Sequence, residues 1–335
     1  MKHLFYLMRH VFSVRNWLIG LLTAWVACWS LAAHAGSAWP ARQIKLIVPF
    51  TAGGATDAIG RIIAKDLSEL WGQTVVVENR TGAGGIVGAE ALVKSQPDGY
   101  TLLLVSGSMF TVNPHIYSSV PYSLKDFSLI SNVATGPMAI SVSPDLPVDS
   151  LEELIAYAKK NPKAVNFGSA GVGSQTHMAG EALADHARID ITHVPYKGES
   201  AANADLMAGH VQLVVGNIAA AVPLINGKRV KGLAVTGQER SPMLPDLPTA
   251  AESGLPGFSV QGWFALVAPA GTPPDVVRKI QSDLHAVLKK PEIQTTFQDL
   301  GVQPSPTTAE ALAQAITEES AQSKQLVERR RIRAN

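Results

Sequence analysis

The sequence predicts an α/β protein of two lobes, built on mainly parallel sheets, with a ligand cleft between the lobes. Three observations support this fold class. After Pro40, β-branched apolar runs alternate with segments of helical periodicity, and the connectors are short. The chain has 335 residues, of which 46% are hydrophobic, so it can bury two cores. Two long β-like runs, 128–143 and 257–269, can carry the chain between the lobes and back.

Residues 1–35 are typical of a secretory signal peptide. They contain three basic residues and no acid, followed by an uncharged apolar run, and Ala33-His34-Ala35 supplies a small-residue cleavage site before Gly36. An uncleaved membrane anchor is the alternative, because the uncharged run is near the shortest length that spans a bilayer. The favoured interpretation is therefore a secreted protein.

Cysteine and charge exclude several classes of function. Cys28 is the only cysteine and lies within the presumed signal, where Trp25 does not suit a lipoprotein modification. The chain from Gly36 onward would have no thiol, which excludes cysteine catalysis and cysteine-rich metal sites. It carries 25 Lys and Arg against 27 Asp and Glu, a net charge of −2. We therefore expect no nucleic-acid partner.

The first lobe, predicted to comprise 36–136 and 258–335, opens with three strands separated by helices. Apolar residues recur at helical spacing after Asp57 and give the first helix one buried face. The predicted strands are 44–50, 74–78 and 100–105. After the second crossing, helices are expected at 273–288 and 308–326, and the basic segment 329–333 is expected to fray in solvent.

The second lobe, predicted to span 137–257, follows the same order of elements. Gly136-Pro137 interrupts the first crossing and is a candidate hinge. Asp149 and Ser150 are helix-start signals. The predicted strands are 165–168, 191–195, 211–215 and 230–236. Because two crossings join the lobes, each lobe can pivot around a bound ligand.

The loop Thr51–Asp57 is the first candidate binding element. It follows a strand, contains Gly53 and Gly54, and ends in a helix-start signal at Thr56 and Asp57. Backbone N–H groups and the positive end of a helix dipole would meet there and favour a carboxylate. An ordinary strand-to-helix turn capped by Asp57 is the favoured interpretation of this loop when it is considered alone.

The loop Ser169–Ser174 repeats this design in the other lobe. Two such loops could hold an anion between them through backbone donors, without Lys or Arg. We expect Gly54 and Gly173 to face each other across the cleft. His177 lies one turn into the following helix and is more often a packed or capping histidine than a ligand contact.

Further candidates follow other strands. Ser106 stands where open α/β sheets bind ligands, Tyr196 could form a ring wall, and Asn217 could bind ligand or cap a turn. The glycine loop 82–85 departs from a dinucleotide fingerprint at Val87. The predicted ligand contacts are Phe50, Gly53, Gly54, Thr56, Asp57, Ser106, Ser169, Ala170, Gly173, Ser174, His177, Tyr196 and Asn217.

Searches for enzyme and metal motifs are negative. The sequence has no G-x-S-x-G, H-E-x-x-H, P-loop or EF-hand pattern, and its histidines lack metal-ligand spacing. We expect no catalytic residue, no metal and no cofactor. A secreted hydrolase or isomerase that uses Asp57 and His177 as base and acid is the rival hypothesis.

Several long motifs in fixed order resemble the Bug family, the extracytoplasmic solute receptors of tripartite tricarboxylate transporters. The resemblance covers essentially the whole chain after the signal. Its motifs are VPFTAGGATD at 48–57, VENRTGAGG at 77–85, PDGYTLL at 97–103, NFGSAGVGSQTH at 166–177, VPYKG at 194–198, DLMAGHV at 205–211, RSPMLPDLPTAAESGLPGF at 240–258 and WFALVAPAGTP at 263–273.

The resemblance implies a monomeric, type II-like periplasmic binding protein that closes on a small organic acid. The acid would be a mono-, di- or tricarboxylate, passed to the membrane components of a transporter or reported to a sensor. One carboxylate would be held by the loops 50–57 and 169–174. Two departures concern ligand identity: 199–203 replaces a proline-containing stretch, and Gly216 stands where Asp is common. Gly216 could leave room for a bulkier or aromatic diacid.

Overall fold

The computed structural model describes residues 39–334, and the proposed signal peptide lies outside these residues. From Arg42 onward the described chain forms one compact unit. The strands are β1 (Ile44–Val48), β2 (Val75–Asn79), β3 (Thr101–Ser106), β4 (Phe127–Val142), β5 (Asn166–Ser169), β6 (Thr192–Pro195), β7 (Leu213–Asn217), β8 (Lys231–Val235), β9 (Gln261–Pro269) and β10 (Gln303–Pro304).

Helices pack against the strands of the sheet. Within residues 39–334 no helix is long and apolar enough to cross a bilayer. The helices are α1 (Ala55–Trp71), α2 (Ile86–Val93), α3 (Ser108–Thr111), α4 (Asn113–Ile116), α5 (Leu151–Lys160), α6 (Gln175–Ala187), α7 (Glu199–Met207), α8 (Ile218–Asn226), α9 (Pro274–Leu288), α10 (Pro291–Asp299) and α11 (Ala309–Arg330).

One mixed sheet runs through the molecule in the order β2-β1-β3-β9-β4-β7-β5-β6, and β8 and β10 also pair with β4. The long strand β4 pairs with β9 up to Pro137 and with β7 and β8 from Met138 onward. We call β1, β2, β3, β9, β10 and residues 127–137 of β4 the first half of the sheet. The second half contains β5, β6, β7, β8 and residues 138–142 of β4.

The expectation of a mainly parallel sheet is right for the outer strands and wrong for the central ones. β1 runs parallel to β2 and β3, and β5 runs parallel to β6 and β7. The pairs that β4 and β9 make with their neighbours are antiparallel. The chain crosses to the second half within β4 and returns just before β9, so neither passage needs a helical crossover of the kind that joins parallel strands.

Each half of the sheet has its own apolar core. In the first half, α1 buries Ile59, Ile63 and Leu67, which recur four residues apart on one helix face. In the second half, Phe167 and Leu183 are buried where α6 packs on the sheet. Burial of each such side chain stabilises the fold by roughly 1.5–3 kcal/mol, so these faces fix the helices on their strands.

The basic segment 329–333 does not fray, contrary to the expectation from sequence. The Nε of Arg329 lies 3.1 Å from Asp185 Oδ2, and the Nε of Arg330 lies 2.7 Å from Glu181 Oε2. Both acids belong to α6. Ile332 is only 7% exposed because it packs in an apolar cluster with α4, α6 and α11 residues. The segment therefore ties α11 to the second half of the molecule.

Candidate functional site

A narrow cavity lies where the carboxyl ends of strands from both halves meet. Its volume is about 30 Å³. This is room for about two water molecules. It is lined by Phe50, Thr51, Gly54, Ala55, Thr56, Ser106, Ala170, Ser174, Gln175, Thr176, Glu199, Asn217 and Phe264. Most lining residues come at or just after the carboxyl ends of β1, β3, β5 and β7. Open α/β sheets bind ligands at the carboxyl ends of their strands.

The first wall is the start of α1. The helix begins at Ala55 behind Gly54, and no side chain caps it, so Thr56 and Asp57 lie inside the first turn instead of capping it. The first backbone N–H groups of a helix have no partner within the helix, and they carry the positive end of its dipole. Ala55 and Thr56 line the cavity at this point. The wall therefore offers an anion site without a basic side chain.

Asp57 holds this wall in shape from behind. Its Oδ2 accepts hydrogen bonds from Gly53 N at 3.0 Å and from Arg61 Nε at 2.9 Å, and its Oδ1 accepts one from Asn79 Nδ2 at 2.9 Å. Burial opposes ionisation, but these hydrogen bonds outweigh it and hold the pKa of Asp57 below its usual value. The carboxylate is engaged within the loop and does not line the cavity.

The second wall is the start of α6. Ser174 caps the helix, and its Oγ accepts a hydrogen bond from His177 N at 3.2 Å. Thr176 Oγ1 accepts one from Ala170 N at 2.8 Å and lies 3.1 Å from Ser174 Oγ. Ala170, Ser174 and Thr176 all line the cavity. A second helix N-terminus therefore faces the same space as the first.

Seven of the thirteen candidate contacts line this cavity: Phe50, Gly54, Thr56, Ser106, Ala170, Ser174 and Asn217. The other six do not: Gly53, Asp57, Ser169, Gly173, His177 and Tyr196. Gly54 lines the cavity and Gly173 does not, so the facing of these two glycines across a cleft stays a prediction. A Cβ added to Gly173 would lie 2.6 Å from Ile116 of α4, so this glycine packs against the first half beside the cavity.

His177 belongs to a packed cluster under the second wall. Its Nδ1 accepts a hydrogen bond from Gly173 N at 3.1 Å, and its ring stacks on His193 with centroids 3.8 Å apart. His193 Nε2 lies 2.6 Å from Ser169 Oγ. These contacts support the loop 169–174 from below, which places His177 and Ser169 behind the wall.

Tyr196 also points away from the cavity. Its hydroxyl donates a hydrogen bond to Asp205 Oδ2 at 2.6 Å. Burial raises the pKa of Tyr196 to about 12, and the Asp205 carboxylate contributes a smaller part of this increase. The ring therefore packs within the second half instead of forming a wall of the cavity.

Gln175, which the sequence reasoning missed, joins the two halves at the cavity. Its Nε2 donates hydrogen bonds to Ser106 Oγ and to Trp263 O, each at 2.7 Å. Its Oε1 accepts one from Trp263 N at 3.1 Å. Because Gln175 is the first residue of α6 and its partners lie on β3 and β9, it bridges the halves. Sequence periodicity carries no signal for such a contact.

Glu199, the second missed residue, is an acid in the wall and only 5% exposed. Its Oε1 accepts a hydrogen bond from Asn217 N at 2.6 Å, and its Oε2 accepts one from Asn217 Nδ2 at 2.7 Å. Burial raises the pKa of Glu199 to about 7, although the Asn217 donors offset part of the increase. The available signal was that positions 199 and 216 both depart from the family pattern.

Gly216 does not leave space for a bulkier or aromatic diacid, contrary to the expectation from sequence. A Cβ at Gly216 would collide with Glu199 Oε1. The room that the glycine provides is already occupied by the glutamate carboxylate. The two departures from the family pattern are therefore structurally coupled.

A larger cavity of about 600 Å³ lies between α6 and α11 and includes Met178, Phe258 and Trp263. Glu319 also lines it, and burial raises the pKa of this acid while donors from Trp263 and Thr111 lower it. No helix N-terminus lines this cavity among the described residues. Within residues 39–334, no cluster of three or more His, Cys, Asp or Glu could hold a metal ion.

Comparison with known proteins places this geometry in context. Residues 59–332 match the family model described as the tripartite tricarboxylate transporter family receptor. Protein BugT of Bordetella pertussis is 37% identical over 290 residues, which cover 86% of this chain and 89% of BugT.

Two solved structures are similar over their whole length. Rpa4515 of R. palustris, solved with adipate, has a TM-score of 0.85 and 34% identity, and the match covers 88% of this chain and 99% of that one. MatC from Rhodopseudomonas palustris, solved with bound malate, has a TM-score of 0.81 and 30% identity over 86% and 100%. The periplasmic-binding-protein fold expected from the sequence is confirmed.

Proposed function

The chain belongs to the family of tripartite tricarboxylate transporter receptors, and from this premise we propose that it captures a small organic acid in the periplasm for such a transporter. The acid would then pass to the membrane components of the transporter, with the receptor acting as a monomer. Two similar proteins were solved with adipate and malate, which are both small organic acids. These relatives support a carboxylate as the ligand.

One observation carries the proposal: the N-termini of α1 and α6 face one narrow cavity from opposite halves of the sheet. The lining contains no Lys or Arg. A carboxylate would be held by backbone N–H groups near Thr56 and Thr176 and by the nearby hydroxyls, as anions are at helix N-termini. The cavity-lining residues are the proposed ligand contacts.

Capture would proceed by opening and closing of two lobes. The cavity of about 30 Å³ is far smaller than the roughly 300–1,000 Å³ of ordinary ligand sites, so an acid needs the walls to separate before it enters. The proposed lobes are 36–136 with 258–335, and 137–257. The pivot would lie at Gly136-Pro137, where β4 changes partners. Two contacts between the lobes would hold the site closed. They are the hydrogen bond from Gln175 to Ser106 and the packing of Thr51 against Gly198.

A thermal-shift screen tests the proposal. Purified receptor is heated with mono-, di- and tricarboxylates, aromatic acids and amino acids, and a binding acid is expected to raise the melting temperature with the logarithm of its concentration. If no acid raises it, and natively purified protein carries an uncharged ligand, the proposal is wrong. Loss of uptake of that acid in a deletion strain separates transport from sensing, because a sensor leaves uptake intact.

A further inference from the structure

One wall of the cavity carries an acid, although the proposed ligand is itself an acid. Glu199 lines the cavity, and within residues 39–334 no basic side chain lies within 4.0 Å of its carboxylate. The other lining residues have no ionisable side chain. An ionised Glu199 beside a ligand carboxylate would place two like charges in a poorly solvated space, which is unfavourable. This repulsion is relieved when the ligand carries a hydrogen-bond donor for Glu199, or when Glu199 is protonated.

The position of Glu199 is fixed by its neighbours on β7. Asn217 donates one hydrogen bond to each carboxylate oxygen, from its backbone N at 2.6 Å and from its Nδ2 at 2.7 Å. Gly216 provides the space, because a Cβ there would collide with Oε1. A carboxylate oxygen has two acceptor lone pairs, so each oxygen can still accept one further hydrogen bond.

We infer that Glu199 is a specificity-determining residue, which selects organic acids that carry a hydroxyl or ammonium donor close to the carboxylate held by the helix N-termini. This inference rests on the proposed function. A ligand donor satisfies the free lone pairs of Glu199 while the ligand carboxylate lies against α1 and α6. An acid without a donor leaves a buried acceptor unpaired, or binds only when Glu199 takes up a proton.

Glu199 is the ionisable side chain in the cavity lining, and the other ionisable groups near it are exposed or engaged elsewhere. β5, β7 and β9 contribute no ionisable side chain. On its own segment, Lys197 is exposed and Asp205 accepts a hydrogen bond from Tyr196. Burial, followed by the charge of His177, lowers the pKa of His193 to about 3. Asp57 is paired with Arg61 behind the first wall.

Calorimetric titration of matched acids tests the inference. The probes are succinate, malate and aspartate; propionate and lactate; and phenylacetate and mandelate, each measured at pH 6, 7 and 8. In the natural protein, the acids with a donor are expected to bind at least tenfold more tightly than their partners at pH 8. Affinity for the donor-free acids is expected to fall as the pH rises from 6 to 8, because Glu199 loses its proton.

Three variants separate this role from a structural one. Glu199→Gln is expected to remove most of the donor preference and the pH dependence of donor-free acids. Glu199→Asp keeps the charge and is expected to keep the preference with weaker binding. Glu310→Gln, at an exposed glutamate on α11, is the matched control and is expected to change neither.

The outcomes distinguish the inference from the proposed function. If acids bind and the donor preference is the same in the natural protein and in Glu199→Gln, the inference is wrong and the proposed function stands. Equal loss of preference in Glu199→Gln and Glu199→Asp would also contradict it, because a purely structural role would explain both. If none of these seven acids binds to any form of the protein, the inference is wrong, and the wider thermal-shift screen decides the proposed function.

Discussion

Asp57 and Glu199 are both buried acids near the cavity, and they differ in their hydrogen-bond partners and in the direction in which their pKa values move. Asp57 is 4% exposed and accepts three hydrogen bonds, one of them from the Arg61 guanidinium. Glu199 is 5% exposed and accepts two hydrogen bonds, both from the uncharged Asn217. Their pKa values accordingly move in opposite directions, lowered for Asp57 and raised to about 7 for Glu199.

Burial alone does not assign a role to an acid. A cation and two further donors fix Asp57 as an ionised support for its loop. Glu199 has no cationic partner in the described part of the chain, keeps free lone pairs and lines the cavity. Its hydrogen bonds are incomplete where a ligand would lie, and such incomplete satisfaction is expected at sites that recognise ligands.

The largest expected effect comes from removing the supporting acid. Asp57→Ala leaves Gly53 N without its partner and leaves Asn79 Nδ2 with Phe50 O alone, so it should lower the free energy of unfolding by about 3–4 kcal/mol. Urea denaturation measures this loss. The folded pKa of Asp57 lies below its unfolded value, so its contribution is present above about pH 4 and is lost as the pH falls further.

Arg61→Ala is the control for this prediction. The Arg61 side chain is 54% exposed, so its ion pair with Asp57 is screened by solvent and should contribute less than about 1 kcal/mol. If Arg61→Ala proves as destabilising as Asp57→Ala, the ion pair dominates and the backbone donors do not.

A smaller effect is expected from neutralising the acid of the cavity wall. The folded pKa of Glu199, about 7, exceeds its unfolded value. Its stabilising contribution is therefore fully present below about pH 4.5 and is lost as the pH rises through 7. Between pH 5 and pH 8 the natural protein should lose about 2–3 kcal/mol that Glu199→Gln retains. Urea denaturation across this range checks it, and identical pH profiles would show that Glu199 does not titrate there.

The smallest effect is expected at the bridge between the halves. Gln175→Ala removes the hydrogen bonds to Ser106 and Trp263, but Trp263 O still accepts one from Gly107 N. We expect a loss of about 1–2 kcal/mol in unfolding free energy, since Trp263 N is left unpaired. X-ray scattering without ligand should show a larger radius of gyration. An unchanged radius would argue that other contacts hold the halves together.

Much of the fold could be predicted from the sequence because the signals are local. Strand and helix periodicity placed the strands of both halves within a few residues, and Ser150 and Ser174 cap the helices that follow them. The antiparallel centre was missed because strand direction depends on how β4 and β9 cross the sheet, which periodicity does not encode. The ordered basic segment was missed because its acidic partners lie on α6, far away in sequence.

The candidate site was predicted where it depends on strand ends, and missed where it depends on long-range contacts. Loops after β1 and β5 reach the cavity because, in each half, the parallel strands point their carboxyl ends toward the place where the halves meet. Gln175 reaches across to Trp263, and Glu199 fills the space beside Gly216, and neither contact leaves a local pattern. His177 and Asp57 carry chemistry-bearing side chains, but the structure engages them behind the walls.

The strand β4 contributes residues to both halves of the sheet. Residues up to Pro137 complete one set of ladder bonds and residues from Met138 complete the other. Each half therefore depends on β4 for part of its sheet. Dividing the gene at this point would leave each fragment with an unprotected sheet edge prone to aggregation. We therefore do not expect the two halves to fold independently when they are expressed as separate fragments.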